Sequence, residues 1–414
     1  MKERFFADAE RIITASIQAV LPDQAVARAL ASFRPGAGRT LLVAAGKAAW
    51  QMANAAVTAL GGVDGGVVIT KYGHSKGPIP GVQCCEAGHP VPDQNSFAAT
   101  EKVLALVQGL APEDTVLFLL SGGGSALLEK PLLPSTELQE ITGQLLACGA
   151  DIVEINTIRK RLSGVKGGRF AQACAPAKVF SILLSDILGD PLDMIGSGPA
   201  APDSSTCAQA LAIAQKYRLE LSPLAQALLQ RETPKHLDHV TTQVTGSVRE
   251  LCAAAARTCQ ELGYQPILLT DHLDGEAREA GRFLGSILRT HAKDPGRWAY
   301  IAGGETVVHL TGSGLGGRNQ ELALAAAPCI AGLDRAAVFS VGSDGTDGPT
   351  DAAGGYVDGD TLQALHRAGY PVEQVLREND AYHALQAVGG LIRTGPTGTN
   401  VNDLSVALVG DADA

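Results

Sequence analysis

Val116-Leu-Phe-Leu-Leu120 runs without a break into Ser-Gly-Gly-Gly-Ser and then into Ala126-Leu-Leu128. An apolar run with no polar alternation reads as a strand covered on both faces, as in a parallel sheet, and points to an α/β chain. The three glycines behind it can take φ > 0 and bring backbone N–H groups close to a ligand. The apolar pattern that resumes at Ala126 suits a helix start. The unpaired N–H groups and partial positive charge of a helix start favour an anion, phosphate above all. Ser121, Gly122, Gly123, Gly124 and Ser125 are therefore candidate phosphate-binding residues, with a plain strand-to-helix turn as the alternative.

A chain of 414 residues exceeds what one core holds, so two domains are expected. Glu232 to Val244 reads as a linker with little order, which puts the boundary near residue 235 and gives domains 1–235 and 236–414. Aromatic residues are only 4% against 48 glycines, so packing has to rely on Ala, Val, Leu and close backbone approach. The net charge of −10 argues against a nucleic-acid surface. An anionic substrate then needs local positive charge, which makes clustered Lys and Arg informative. The charged N-terminal segment reads as an amphipathic helix, not a signal peptide. No run of apolar residues is long enough to span a membrane. The cysteines are scattered and lack the paired spacings of a zinc site, so they are expected to be reduced and the protein cytoplasmic.

In chain order, two helices are expected within residues 1–33. The strand Leu41–Ala45 leads into Gly46-Lys47 and a helix through Ala59, and a Lys at that mouth lies where α/β proteins bind ligands. Strands follow at Gly66–Thr70 and Val82–Glu86, with a helix from Ser96 to Gly109. His74 and His89 fall in loops and are given no catalytic role. Helical periodicity runs from Ser135 through Ile155. The stretch Asn156–Arg169 then holds five basic residues and three glycines in fourteen. It reads as an anion-binding loop, with Arg159 and Lys166 as its cations and a solvated basic helix face as the alternative. The strand Ala177–Leu184 ends at Asp186 and Asp190. An Asp just past a parallel strand can hold Mg²⁺ or take a proton, or can merely cap the next helix.

The second half restarts the alternation. Helices are expected at Ser247–Leu262, Glu276–His291 and Asp360–Arg367. Strands are expected at Gln265–Thr270, Trp298–Ala302, Thr306–Leu310, Ala336–Val341 and Leu404–Val409. Gly312-x-Gly314-x-x-Gly317 fits a dinucleotide fingerprint, and Asp344 could serve as its ribose-binding acid, so an NAD(P)H-dependent reductase is the alternative reading. Arg318 and Asn319 directly behind that loop point instead to a charged ligand. A dinucleotide also leaves the first glycine loop, the basic segment and the Asp-rich loops unexplained. Phosphoryl transfer uses them all: backbone and Lys/Arg cradles, carboxylates holding Mg²⁺, and positioning of an acceptor hydroxyl. Asp344, Asp347 and Asp351 could bind metal or fix their loop by Asx turns.

Taken together, AAGKAAWQMA (44–53), GHPVPD (88–93), LSGGGSALL (120–128), NTIRKRLSGVKGGR (156–169), LLSDILGDPLDMIGSGP (183–199), GGETVV (303–308), GLGGRNQELAL (314–324), SVGSDGTDGPTDAAGG (340–355) and TGTNVND (397–403) resemble the glycerate 2-kinase family, also called the MOFRL family. The resemblance covers nearly the whole chain. It implies a Rossmann-like N-terminal glycerate kinase domain and a smaller C-terminal MOFRL-type α/β domain with an interdomain cleft. It implies ATP-dependent phosphorylation of D-glycerate at the 2-hydroxyl, giving 2-phosphoglycerate and ADP, with Mg²⁺ or another divalent cation. Members also carry the label hydroxypyruvate reductase. Within that reading Lys47, Asp186 and Arg318 are the catalytic candidates. Ser121 to Ser125, Arg159, Lys166, Gly314, Gly316, Gly317, Asn319, Glu305, Asp344 and Asn400 would bind substrate or phosphate, and Asp186, Asp190 and Asp347 the metal. The expected partners are small molecules, with no nucleic acid and no membrane, and a homodimer is the assembly considered.

Overall fold

The structure is a computed structural model that describes residues 2–410. It forms two compact units, Ala25–Thr245 and a second made of the residues up to Gln24 with those from Gly246 on. In the first unit, strands β1 (Thr40–Ala45), β2 (Gly65–Lys71), β3 (Val82–Ala87), β4 (Thr115–Leu120), β5 (Lys178–Leu184) and β6 (Val240–Gly246) form one sheet in the order β3-β2-β1-β4-β5-β6. The pairings among β1 to β5 are all parallel. Alternate residues feed two cores. Leu42, Ala44, Leu117 and Leu119 face the helices 22–30 and 49–60, while Leu41, Val43, Phe118 and Leu120 pack on the opposite face with Val103 and Phe170. Every residue of β4 is buried, as its uninterrupted apolar run requires.

The register sets the functional edge. Ala45 lies beside both Ile69 and Leu120, Leu120 beside Leu183, and Lys71 beside Ala87. The loops leaving the carboxyl ends of β1, β2, β3, β4 and β5 therefore start at nearly one level. Strand order reverses between β1 and β4, and ligands of open α/β sheets bind in the crevice at such a switch point.

In the second unit β7 (Gln265–Leu273), β8 (Arg297–Gly304), β9 (Ala336–Gly342), β10 (Gly354–Asp358), β11 (Leu391–Ile392) and β12 (Asp403–Gly410) are ordered β11-β10-β9-β12-β8-β7. The last strand enters the middle of the sheet, antiparallel to β8 and β9 on either side. Its first residue, Asp403, thus meets the ends of both, opposite Gly304 and Gly342.

Several expectations change. The supposed linker holds β6, which completes the first sheet, so the chain leaves that unit near residue 245 and not 235. The helix Lys2–Ala19 belongs to the second unit. Its buried Asp8 accepts hydrogen bonds from Tyr264 (2.8 Å) and Arg297 (2.6 Å), and the Arg297 guanidinium stacks 3.9 Å from the Tyr264 ring centroid. The periodicity from Ser135 to Ile155 is two helices, Ser135–Ala147 and Ile152–Leu162, separated at Gly149, whose φ is +73°. Thr306–Leu310 is not a strand: a single bridge at Val307 to Glu276 is its only ladder contact among the described residues, and Leu310 is 81% exposed. The strand β10 and the helices Val372–Glu378 and Ala381–Ala387 are additions to the expected elements.

Candidate active site

At the carboxyl edge of the first sheet, the turn after β1 is stitched to the loop after β4. Lys47 N–H donates to the Gly122 carbonyl (2.9 Å) and Ala48 N–H to Ser121 Oγ (3.1 Å). The buried Thr70 hydroxyl, at the end of β2, donates to the carbonyls of Gly46 (3.1 Å) and Lys47 (3.3 Å). Gly46 has φ +126°, and a Cβ there would lie 2.2 Å from Ser121 Oγ, so only glycine lets the two loops close. These bonds fix the Lys47 backbone while its side chain stays exposed, with no ion pair among the described residues.

Gly122 and Gly123 are each occupied on the side where a Cβ would stand. Asp186 Oδ2 lies 2.7 Å from that point on Gly122. His89 Nε2 and Lys47 Cγ lie 3.0 and 3.3 Å from it on Gly123, which has φ +85°. Lys47, Asp186 and the glycine loop are thus brought together as the sequence suggested, and His89 joins them. The helix behind the loop is only Gly124–Leu127. A single turn supplies little macrodipole, so the anion-binding capacity rests on the loop amides and Lys47, not on the expected helix start. Ser125 turns inward: its Oγ is 2.8 Å from Ser197 Oγ, which donates to Asn156 Oδ1 (2.9 Å).

The basic segment 156–169 is not the expected anion loop. Asn156 to Leu162 belong to the helix capped by Asp151 and Glu154, whose Ile155, Ile158 and Leu162 join a satellite core with Leu138, Leu145 and Leu228. Lys160 is 1% exposed and pairs with Asp203 (3.0 Å) and Asp193 (3.1 Å). Arg161 is fully buried and bonds Ser205 and the carbonyl of Thr157. Lys166 is spent as well. Its ammonium donates to the carbonyls of Ser125 (2.6 Å) and Leu128 (3.2 Å) and lies 2.8 Å from Glu129. Burial pushes its pKa down to about 8, with Glu129 opposing. Lys166 therefore braces the short helix from within and has no donor left for a ligand. Arg159 differs: its Nε is buried without a hydrogen-bond partner, and burial lowers its pKa against the pull of Glu129.

The second unit carries a separate polar group. Arg318, first residue of the helix Arg318–Ile330, forms a two-pronged pair with Asp403, Nη2 donating to Oδ1 at 3.0 Å, and Nη1 lies 3.0 Å from Glu305. Burial works against its charge, but Asp403 and then Glu305 hold its pKa above the ordinary value. Asp347 is buried and accepts from the amides of Asn319 (3.1 Å) and Gln320 (2.8 Å), which caps that helix. Burial raises its pKa to about 6. Asp344 accepts from Thr346 N–H (2.9 Å) in an Asx turn, and its Oδ1 and that of Asp403 lie 3.2 and 3.5 Å from the Cβ position of Gly342. Asn319 Oδ1 accepts from the Ser340 hydroxyl (2.5 Å), and exposed Asn400 accepts from Asn402 N–H (3.4 Å). Asp351 binds Tyr382 and Arg393 at the surface, a structural use.

One expectation fails here. The dinucleotide fingerprint follows no strand, and its glycines are taken up by the protein itself. Cβ atoms on Gly312, Gly314 and Gly317 would lie 2.4 Å from Glu378, 2.5 Å from Asp380 and 2.3 Å from Asp347. The amides of Gly312, Gly314 and Leu315 are bonded to Asn379, Glu378 and Asp380, so the loop is packed against its own fold and not open to a pyrophosphate. Gly316 has only an ordinary contact, 3.4 Å, with Ala381. Among the described residues no three His, Cys, Asp or Glu side chains are grouped to hold an ion. Asp347 caps a helix, while Asp190, with φ +51°, keeps a buried Oδ1 with no hydrogen-bond partner.

Asp403 escaped the sequence reading, and His89 was read there as a loop residue with no catalytic role. Asp403 opens an apolar run that becomes a central strand, and a carboxylate entering a core needs a cation. His89 carried no local signal, since its neighbours come from other strands.

Comparison with known proteins agrees with this architecture. Residues 8–230 match the family described as a domain of unknown function, DUF4147, and residues 298–403 match the MOFRL family. The D-glycerate 2-kinase of Thermotoga maritima is 52% identical over 407 residues, 96% of this chain and 97% of that protein. A protein of Agrobacterium vitis named as a hydroxypyruvate reductase is 41% identical, covering 97% of this chain and 93% of its own length. The crystal structure of glycerate kinase from Thermotoga maritima superposes with a TM-score of 0.93 at 51% identity, covering 98% of this chain and all of that one.

Proposed function

We propose that this chain, which belongs to the glycerate 2-kinase family, transfers the γ-phosphoryl group of ATP to the 2-hydroxyl of D-glycerate, giving 2-phosphoglycerate and ADP. The observation that carries the reading is the edge of the first sheet, where an unpaired Lys47, the Gly122–Gly123 loop and Asp186 converge at the strand-order switch. Lys47 and the loop amides would face the charge of the phosphoryl group, a preorganised arrangement of the kind that stabilises such transition states. Asp186 would accept the hydroxyl proton as the hydroxyl oxygen bonds to phosphorus and the bond from phosphorus to the ADP oxygen breaks. Arg159, whose buried Nε has no hydrogen-bond partner among the described residues, would pair with a carboxylate or phosphate.

Arg318 uses three N–H groups on Asp403 and Glu305 and retains two for a phosphate oxygen, so it is kept as the second catalytic cation. Mg²⁺ is part of the proposal. The orphaned Oδ1 of Asp190 fits it, and Asp186 with Asp190 would hold the ion together with substrate phosphates, as is usual for Mg²⁺. Bound there, the ion would offset phosphate charge. No helix among the described residues is long and apolar enough to cross a membrane. A cytoplasmic location belongs to the proposal.

The test is incubation with D-glycerate, ATP and Mg²⁺, with the product passed to enolase with and without phosphoglycerate mutase. Direct consumption by enolase establishes 2-phosphoglycerate. A requirement for mutase overturns the 2-hydroxyl assignment, and absence of ADP overturns the kinase reading. Oxidation of NADH on hydroxypyruvate in its place would favour the reductase.

A further inference from the structure

We propose that the His89 imidazole is a direct ligand of the oxyanion held beside Lys47 and the Gly122–Gly123 loop. The inference rests on the phosphoryl-transfer reading and adds a residue to its site. His89 leaves β3 two positions past the register pair of Lys71 and Ala87, and it reaches the loop that follows β4, with β2 and β1 lying between those two strands in the sheet. Its Cδ2 and Nε2 lie 2.8 and 3.0 Å from the Cβ position of Gly123, and Lys47 Cγ lies 3.3 Å from the same point. Imidazole and lysine stem therefore share one face of one glycine. The ring is half-buried, and no described residue hydrogen-bonds either of its nitrogens. Both ring nitrogens are thus uncommitted within the fold, beside a glycine loop and the stem of Lys47.

The charges around His89 say which kind. Lys47 faces it from the loop after β1, Lys71 from the end of β2 and His74 from the loop that follows. The nearby carboxylates are engaged elsewhere. Asp93, on its own segment, is bonded by Tyr72 (2.6 Å) and by Ser96 N–H (2.9 Å), Glu86 takes Ser75 N–H (3.0 Å), and Asp186 stands over the other glycine. Burial, followed by Lys47, Lys71 and His74, lowers the His89 pKa below its ordinary value, so the ring of the free protein is neutral at pH 7. A neutral imidazole offers one N–H to an oxyanion without adding to the repulsion among the cations. An arriving anion reverses the field, because a negative charge in contact favours the protonated ring. Binding then draws a proton from solvent onto His89.

Both a phosphate of ATP and the carboxylate of D-glycerate are oxyanions of this kind. In the full-length protein, the His89 ring resonances, assigned by their loss in His89→Gln, are followed against pH alone and with inorganic phosphate, ADP or D-glycerate. The expected result is a midpoint below 6.5 for the free protein that rises by about one unit with the anion that occupies the site. A rise with phosphate and ADP assigns phosphate; a rise with glycerate alone assigns the carboxylate. An unchanged midpoint with all three overturns the proposal. In turnover, His89→Ala should raise KM for the assigned substrate about tenfold, the equivalent of one ordinary hydrogen bond to a charged group, and His89→Gln should recover part of it by keeping an N–H. Unchanged KM in His89→Ala also overturns the proposal, and if that variant does not fold the wild-type titration decides. A wild-type protein that forms no ADP yet shows the phosphate-linked rise would refute the kinase reading and leave His89 as an anion ligand.

Discussion

Gly122 and Gly123 are adjacent but are glycine for different reasons, and one methyl group at each separates a chemical from a structural role. Gly122 is not among the residues with positive φ, so alanine there costs the backbone little. Its Cβ would instead lie 2.7 Å from Oδ2 and 3.5 Å from Cγ of Asp186. Carbon and heavy-atom neighbours normally stand at about 3.5 Å or more, so the carboxylate must retreat by nearly 1 Å. Displacing a reacting group by about 1 Å can cost about 10²-fold in rate. Gly122→Ala should therefore lower kcat by roughly 10- to 10²-fold while changing unfolding free energy by less than about 1 kcal/mol.

Gly123→Ala is expected to behave otherwise. At φ +85° the new side chain pays about 1–2 kcal/mol for the left-handed conformation, and it also presses on His89 Cδ2 at 2.8 Å. It should lose stability by that amount and raise KM as well. Urea denaturation and coupled ADP release on both variants are the assays. A Gly122→Ala enzyme with wild-type kcat would show that Asp186 does not touch the reaction. One as unstable as Gly123→Ala would show that the backbone reasoning is wrong.

Three further outcomes follow from the ion pairs. Asp203→Ala leaves Lys160 and Arg161 buried without their shared carboxylate and should cost about 3–5 kcal/mol in urea denaturation. Although burial pushes the Asp203 carboxyl up, the Thr233 hydrogen bond and the Lys160 charge hold it at about 2, below the ordinary 3.8. A depressed folded pKa means stability present above the ordinary value and lost as pH falls from about 4 toward about 2; the variant should lack that part of the acid limb in a stability–pH series. Lys166→Met strands Glu129 and frees two carbonyls of the short helix, so it should destabilise by about 3–5 kcal/mol, and the double variant Lys166→Met/Glu129→Leu should recover most of it. Arg318→Lys cannot span Asp403 and Glu305 together and should lower kcat about 10²–10³-fold in the kinase assay with melting temperature nearly unchanged; wild-type kcat would remove Arg318 from the mechanism.

The first sheet was legible because parallel strands covered on both faces announce themselves as apolar runs, and the glycines that end them mark the functional edge. Lys47, Ser121 to Gly124 and Asp186 were picked out as candidates that way, and the structure brings them together. Pairing register is not visible in the sequence, and register is what carries His89 to Gly123 and Asp403 to Arg318. The linker misassigned at 232–244 shows the same limit: Val240–Gly246 alternates weakly, and only the sheet edge it completes makes it a strand.

The basic segment teaches a different lesson about charge. Clustered cations in an acidic chain looked like an anion site, yet Lys160 and Arg161 answer to Asp193, Asp203 and Glu232, between 33 and 71 residues further along. The helix itself held the warning, since Ile155, Ile158 and Leu162 form a stripe that turns the residues between them toward a core. A buried cation has to be paired to be tolerated, so the density of Lys and Arg in a stretch says as much about hidden carboxylates as about ligands. The better signal for an anion site is a cation that the fold positions and then leaves unpaired. Lys47 meets that condition, with its backbone fixed by Gly122 and Thr70 and its ammonium uncommitted. Lys166 fails it, with every donor spent on Ser125, Leu128 and Glu129. Of two lysines beside one glycine loop, the exposed one is therefore the candidate for meeting substrate, and the buried one braces the loop.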